Sequence, residues 1–89
     1  MVYKILIKRQ AQKVLEKISP PNLQELIRVE IENLATDPFP TQAKRLRGFE
    51  DTYRIRQGGW RIIYEIRDEE LIIEVIKIGS RGDVYKGCM

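Results

Sequence analysis

The stretch YRIRQGGWRIIY, residues 53–64, sets three arginines into a pattern that otherwise reads as β-strand. Arg54 and Arg56 alternate with Tyr53 and Ile55, and Arg61 follows Gly58-Gly59. Guanidinium chemistry is the chemistry of anions. The planar fork of donors matches two phosphate oxygens, and its charge does not titrate away near neutrality. If Gly58-Gly59 closes a two-residue hairpin turn, Gln57 faces Trp60, Arg56 faces Arg61, Ile55 faces Ile62 and Tyr53 faces Tyr64. The apolar and tyrosine positions then share one face, and Arg54, Arg56 and Arg61 share the other. Like charges directly opposite cost a few tenths to about 1 kcal/mol. Such a row is either a solvated outer surface or a surface kept for an anion.

Residues 79–86, GSRGDVYK, add to the second reading. Gly79 and Gly82 flank Arg81, which suggests a turn presenting that side chain, and Tyr85 follows four residues later. Cations for phosphate and an aromatic ring for a base are the ingredients of a nucleic-acid cleft. Glu65 and Glu74 can reach the same face. They are expected to neutralise the arginine row rather than to act as a catalytic base.

Much chemistry is excluded by what the chain lacks. It contains no histidine and one cysteine, Cys88. The usual neutral-pH acid–base group is absent, and so is the commonest transition-metal ligand, so no metal site and no cofactor are expected. A lone cysteine forms no internal disulfide, which favours a cytoplasmic setting. No stretch approaches the ~20 apolar residues of a membrane span, and MVYKILIKRQ is too short and too charged for a signal peptide.

These side chains need a scaffold. With 89 residues, 43% of them hydrophobic, the chain suits one globular domain, residues 1–89, rather than a disordered one. Net charge is only +3, so the layout of the charges matters more than their sum. VYKILIK, residues 2–8, reads as a first strand. Ala11, Val14, Leu15 and Ile18 recur at helical spacing and predict a helix over 9–18. SPP at 19–21 breaks it, and a second helix is expected over 22–35, capped by Asn22 or Ser19. Its stripe is Leu23, Leu26, Ile27, Ile31 and Leu34. AKRLRG can form a short strand, and strands are expected over 52–57, 60–67 and 70–78. Neither helix is long enough to stand alone, so both stripes must pack on the sheet. The predicted architecture is α+β: an N-terminal strand and a two-helix hairpin on one face of a largely antiparallel twisted sheet.

In this order and spacing, RLRG, YRIR, GWRIIYEI and IKIGSRGDVY resemble the RelE branch of the RelE/ParE toxin superfamily, over nearly the whole chain. Each piece is weakly specific; together they are quite specific. The resemblance implies a RelE-like fold and a toxin of a type II toxin–antitoxin module. Its expected partners are a RelB-like antitoxin, the A site of the 30S ribosome and mRNA. It implies a metal-independent endoribonuclease, an mRNA interferase that inhibits translation. Carried over by motif, Arg61, Arg81, Tyr85 and Arg54 are the catalytic candidates. Arg54 and Arg56, with Arg45 and Arg47 of the KRLRG segment, are the RNA-binding candidates. The YRIR strand departs from better-known members, which carry lysines there. Arginine holds its proton, so electrostatic support is expected from it rather than general-base work. The sequence stops soon after Tyr85, so a C-terminal helix found in some relatives is expected to be missing or minimal. The alternatives are a ParE-like inhibitor of DNA gyrase, or a non-enzymatic toxin that binds only as a corepressor.

Overall fold

The computed structural model describes residues 2–46, 48 and 50–80. The elements run β1 (Lys4–Ile7), α1 (Arg9–Glu16), α2 (Pro21–Asn33), β2 (Lys44–Arg45), β3 (Thr52–Gln57), β4 (Trp60–Arg67), a 3-10 turn (Asp68–Glu70) and β5 (Ile72–Ser80). The strands form one sheet in the order β1-β5-β4-β3-β2. The β2–β3, β3–β4 and β4–β5 pairs are antiparallel, and β1 lies parallel to β5. The predicted α+β architecture is the observed one.

Both helices cover the same sheet face. Ala11, Leu15 and Ile18 from α1 and its exit, with Ile27, Ile31 and Leu34 from α2 and its exit, pack with Ile55, Ile62, Tyr64, Ile66, Ile73, Val75 and Ile78. Burying each leucine, isoleucine or valine among them contributes about 1.5–3 kcal/mol. Leu26 departs from the expected stripe and is 51% exposed. The buried row on α2 follows the i, i+4 step from Leu23 through Ile27 to Ile31. Leu26 lies one residue, about 100°, off that row.

The start of α2 also differs from expectation. Pro20, in extended conformation, is the N-cap residue, Pro21 opens the helix, and no side chain caps it. A proline at the first helical position lacks only a hydrogen that would have no intrahelical partner. The Gln24 side-chain amide donates instead to the carbonyls of Glu16, at 3.1 Å, and Ile18, at 3.4 Å. It thereby closes the exposed end of α1 against α2.

β5 begins two residues later than predicted. Leu71 turns the chain in the left-handed region at φ 53°, directly after the 3-10 turn. Further along, the register jumps. Ile63 pairs with Lys77 but Tyr64 pairs with Val75, so Ile76 is the extra residue of a β-bulge. Past the bulge, the side chains of β5 exchange faces.

Candidate nucleic-acid interface

The β3–β4 hairpin positions the arginines. Arg56 pairs with Arg61, Ile55 with Ile62, Arg54 with Ile63 and Tyr53 with Tyr64, as the turn predicts. Gly58 has φ +62° whereas Gly59 has no positive φ, the pattern of a type II′ turn. Ile55, Ile62 and Tyr64 go to the helices. Strand alternation leaves Arg54, Arg56 and Arg61 on the face the helices do not cover.

Two lysines that sequence reading passed over join them. Lys44 on β2 is in register with Arg54, and Lys77 on β5 is in register with Ile63. The phase of a two-residue strand carries no periodic signal, so Lys44 could not be assigned. Simple alternation from the buried Val75 would send Lys77 to the core face, but the bulge at Ile76 sends it to the other. The β2–β3 pairing explains why Arg45 does not join the row: it is in register with Tyr53, on the opposite face. Arg47, Arg81 and Tyr85 lie outside the described residues.

At the centre of this face, Ile63 is fully buried although it lies outside the main core cluster. Its register partners are Arg54 and Lys77, and Arg61 and Glu65 flank it on its own strand. Long cationic side chains can lay their stems over apolar surface while the charged heads stay outside. Arg56 is exposed; Arg54 and Arg61 are half-buried, and the Arg61 Nε is shielded from solvent. Arg54 and Arg61 each take part in interactions within the chain.

Glu65 and Glu74 do neutralise an arginine, but it is Arg67. Arg67 Nε donates to Glu65 Oε1 at 3.0 Å, and an Arg67 NH2 group donates to Glu74 Oε1 at 2.6 Å. The hydrogen bond to Glu65 and the charge of Glu74 raise the Arg67 pKa above its ordinary value. The uncovered face is therefore polarised along the strands. Cations gather toward the β3–β4 turn, and a carboxylate pair with its own arginine lies toward the other end. Among the described residues, no three His, Cys, Asp or Glu side chains are grouped to hold a metal ion, and no helix is long and apolar enough to cross a membrane.

The family model for the ParE toxin of the type II toxin–antitoxin system, parDE, matches residues 5–85. A RelE-named toxin of Methanocaldococcus jannaschii is 34% identical over 89 residues, covering 97% of this chain and 98% of the relative. This chain belongs to the RelE/ParE toxin superfamily. Its fold agrees. The toxin superposes on a chain of the archaeal RelE–RelB complex from Pyrococcus horikoshii with a TM-score of 0.80, at 28% identity, over 92% of this chain and 98% of that one. The mRNA interferase toxin RelE of Escherichia coli strain K12 is 40% identical over 48 residues, 49% of this chain and 50% of that relative. The toxin is thus a RelE-like member of a toxin–antitoxin module, and the arginine-bearing hairpin falls within the matched family region.

Proposed function

We propose that the toxin is a ribosome-dependent endoribonuclease that cuts mRNA in the A site, and that the uncovered sheet face grips the RNA backbone. One observation carries this reading: the β3–β4 register gathers Arg54, Arg56 and Arg61 on the face opposite the helices, with Lys44 and Lys77 beside them. The mRNA-interferase name of the Escherichia coli relative supports it. In the reaction, the RNA supplies its own nucleophile. The 2′-oxygen attacks the adjacent phosphorus and loses its proton. The bond to the 5′-oxygen breaks, and that oxygen takes up a proton. The products are a 2′,3′-cyclic phosphate and a free 5′-hydroxyl. Arg61 and Arg81 stabilise charge on the phosphorane-like transition state, and Arg54 and Arg56 hold flanking phosphate. Tyr85 stacks on the target base or handles a proton. An incomplete acid–base set explains the need for a ribosome, which holds the mRNA in a reactive shape. A RelB-like antitoxin covers the cationic surface in the resting module, by an amphipathic helix or an extended segment.

The second reading, inhibition of DNA gyrase, is favoured by the ParE description of the matching family model. End chemistry separates the two. Single-turnover assays on programmed ribosomes should yield cyclic-phosphate ends. Arg61→Ala, Arg81→Ala and Tyr85→Ala should each slow the cut roughly a hundred- to a thousandfold while leaving the protein folded. Wild-type rates from folded Arg81→Ala and Tyr85→Ala proteins would defeat the nuclease reading. Supercoiling defects without mRNA ends would install the gyrase reading in its place.

A further inference from the structure

Glu65 and Glu74 stand directly opposite each other on β4 and β5, on the same face as the cations. Like charges in that position repel. Arg67, two residues further along β4, bridges both carboxylates with separate hydrogen bonds. The Glu74 side chain is only 17% exposed, and Arg67 and Glu65 are 38% and 37% exposed. The bridge is thus partly withdrawn from water, and its ion pairing is less screened than that of a fully exposed pair.

On its other side, the carboxylate pair borders the proposed RNA-binding cations. Glu65 is in register with Thr52, so Arg54, in register with Ile63, is its diagonal neighbour on β3. Lys77, also in register with Ile63, is its diagonal neighbour on β5. Diagonal positions lie roughly 7–8 Å apart, within reach of long side chains. Glu65 therefore sits between two competing sets of cations, and the structure shows it turned to Arg67. A guanidinium suits this task because its fork serves two carboxylates at once.

We propose that Arg67 is a positioning residue for the RNA-binding face: it draws Glu65 and Glu74 away from Arg54 and Lys77, so that neither carboxylate competes with phosphate there. The inference rests on the reading of that face as the mRNA-gripping surface. Without Arg67, Glu65 becomes an anion about 8 Å from the cations that should meet phosphate. For effective dielectric constants from that of water to that of a protein surface, its Coulomb effect corresponds to a roughly two- to thirtyfold loss of affinity.

The test is a double-mutant cycle on programmed ribosomes. It reads half-saturating toxin concentration, plateau cleavage rate and salt dependence, with thermal melts in parallel. Arg67→Met, which keeps the apolar stem, should raise the half-saturating concentration within that range and leave the plateau rate nearly unchanged. It should also lower the slope of log affinity against log salt by about 0.7, one phosphate contact on a single strand. Adding Glu65→Gln should restore most of the affinity, whereas Glu65→Gln alone should change little. Arg67→Lys should fall between wild type and Arg67→Met. If Arg67→Met does not fold, Arg67→Lys with and without Glu65→Gln runs the same cycle. Equal effects of Glu65→Gln with and without Arg67 would overturn the positioning role. If Arg54→Gln binds programmed ribosomes like wild type, the phosphate-gripping reading fails and the inference fails with it. If Arg54→Gln weakens binding but Arg67 and Glu65 are uncoupled, the inference alone fails.

Discussion

Tyr64 shows how one residue links sheet, loop and pH response. It is fully buried, lies near-parallel to Tyr53 with ring centroids 6.0 Å apart, and donates its hydroxyl to the Pro38 carbonyl at 2.8 Å. Burial, with smaller contributions from Tyr53 and Asp37, pushes its pKa well above the ordinary tyrosine value of 10.0. The native state keeps the phenolic proton after the unfolded chain has lost it. Stability from this group is therefore full below pH 10 and falls as pH rises above it. Tyr64→Phe should cost about 1 kcal/mol near neutrality, for the lost hydrogen bond. It should also flatten the decline between pH 10 and 11, measured by denaturant midpoints across pH. Tyr3, whose hydroxyl donates to Asp68, has its pKa raised mainly by that hydrogen bond and titrates in the same direction. At Arg56 the readout is binding. If Arg56 holds phosphate as proposed, Arg56→Ala should weaken ribosome association more than Arg56→Lys, with the gap narrowing as salt rises.

The hairpin is the element that makes a row out of separate arginines, and its turn sets the register. Gly58 holds φ +62°, and a Cβ there would meet Leu23 Cδ1 only at an ordinary 3.9 Å. The cost of a side chain is thus backbone strain rather than a clash. Gly58→Ala should destabilise by about 1–2 kcal/mol, the penalty for an L-residue in the left-handed region. Gly59→Ala has open space and no positive φ, so it should be nearly neutral. Thermal melts of the two variants check this contrast directly. For a domain of this size each kcal/mol shifts the midpoint by about 4–8 °C. Equal melting temperatures would contradict the assigned turn.

At the scale of the molecule, the two faces of the sheet divide the work. One is closed by helices and carries the core; the other carries charge sorted along the strands. A net charge of +3 conceals that sorting. With no histidine and one cysteine, the chain also lacks the common transition-metal ligand set. Cleavage should therefore survive removal of transition metals, provided magnesium for the ribosome is restored. Activity lost with a tightly bound transition metal would refute the proposed chemistry. Co-expression with the module's antitoxin should rescue growth and yield a stable complex. A toxin recovered alone from its own operon under gentle conditions would count against that partnership.

Much of this architecture is determined locally and was legible in the order of residues. Period-two and helical spacings marked the strands and helices, and Gly58-Gly59 set the pairing of Arg56 with Arg61. The helix-free position of Arg54, Arg56 and Arg61 followed from that pairing, because side chains on a regular strand alternate. The tertiary structure decided what alternation cannot carry across an irregularity or a short element. The bulge at Ile76 reverses the phase of β5 and brings Lys77 to the cationic face. The pairing of a two-residue strand selects Lys44 and turns Arg45 away. The partner of Glu65 and Glu74 proved to be Arg67, two residues beyond Glu65 along β4. Sequence places cations on both sides of these carboxylates, and only the packed sheet settles which guanidinium can reach both.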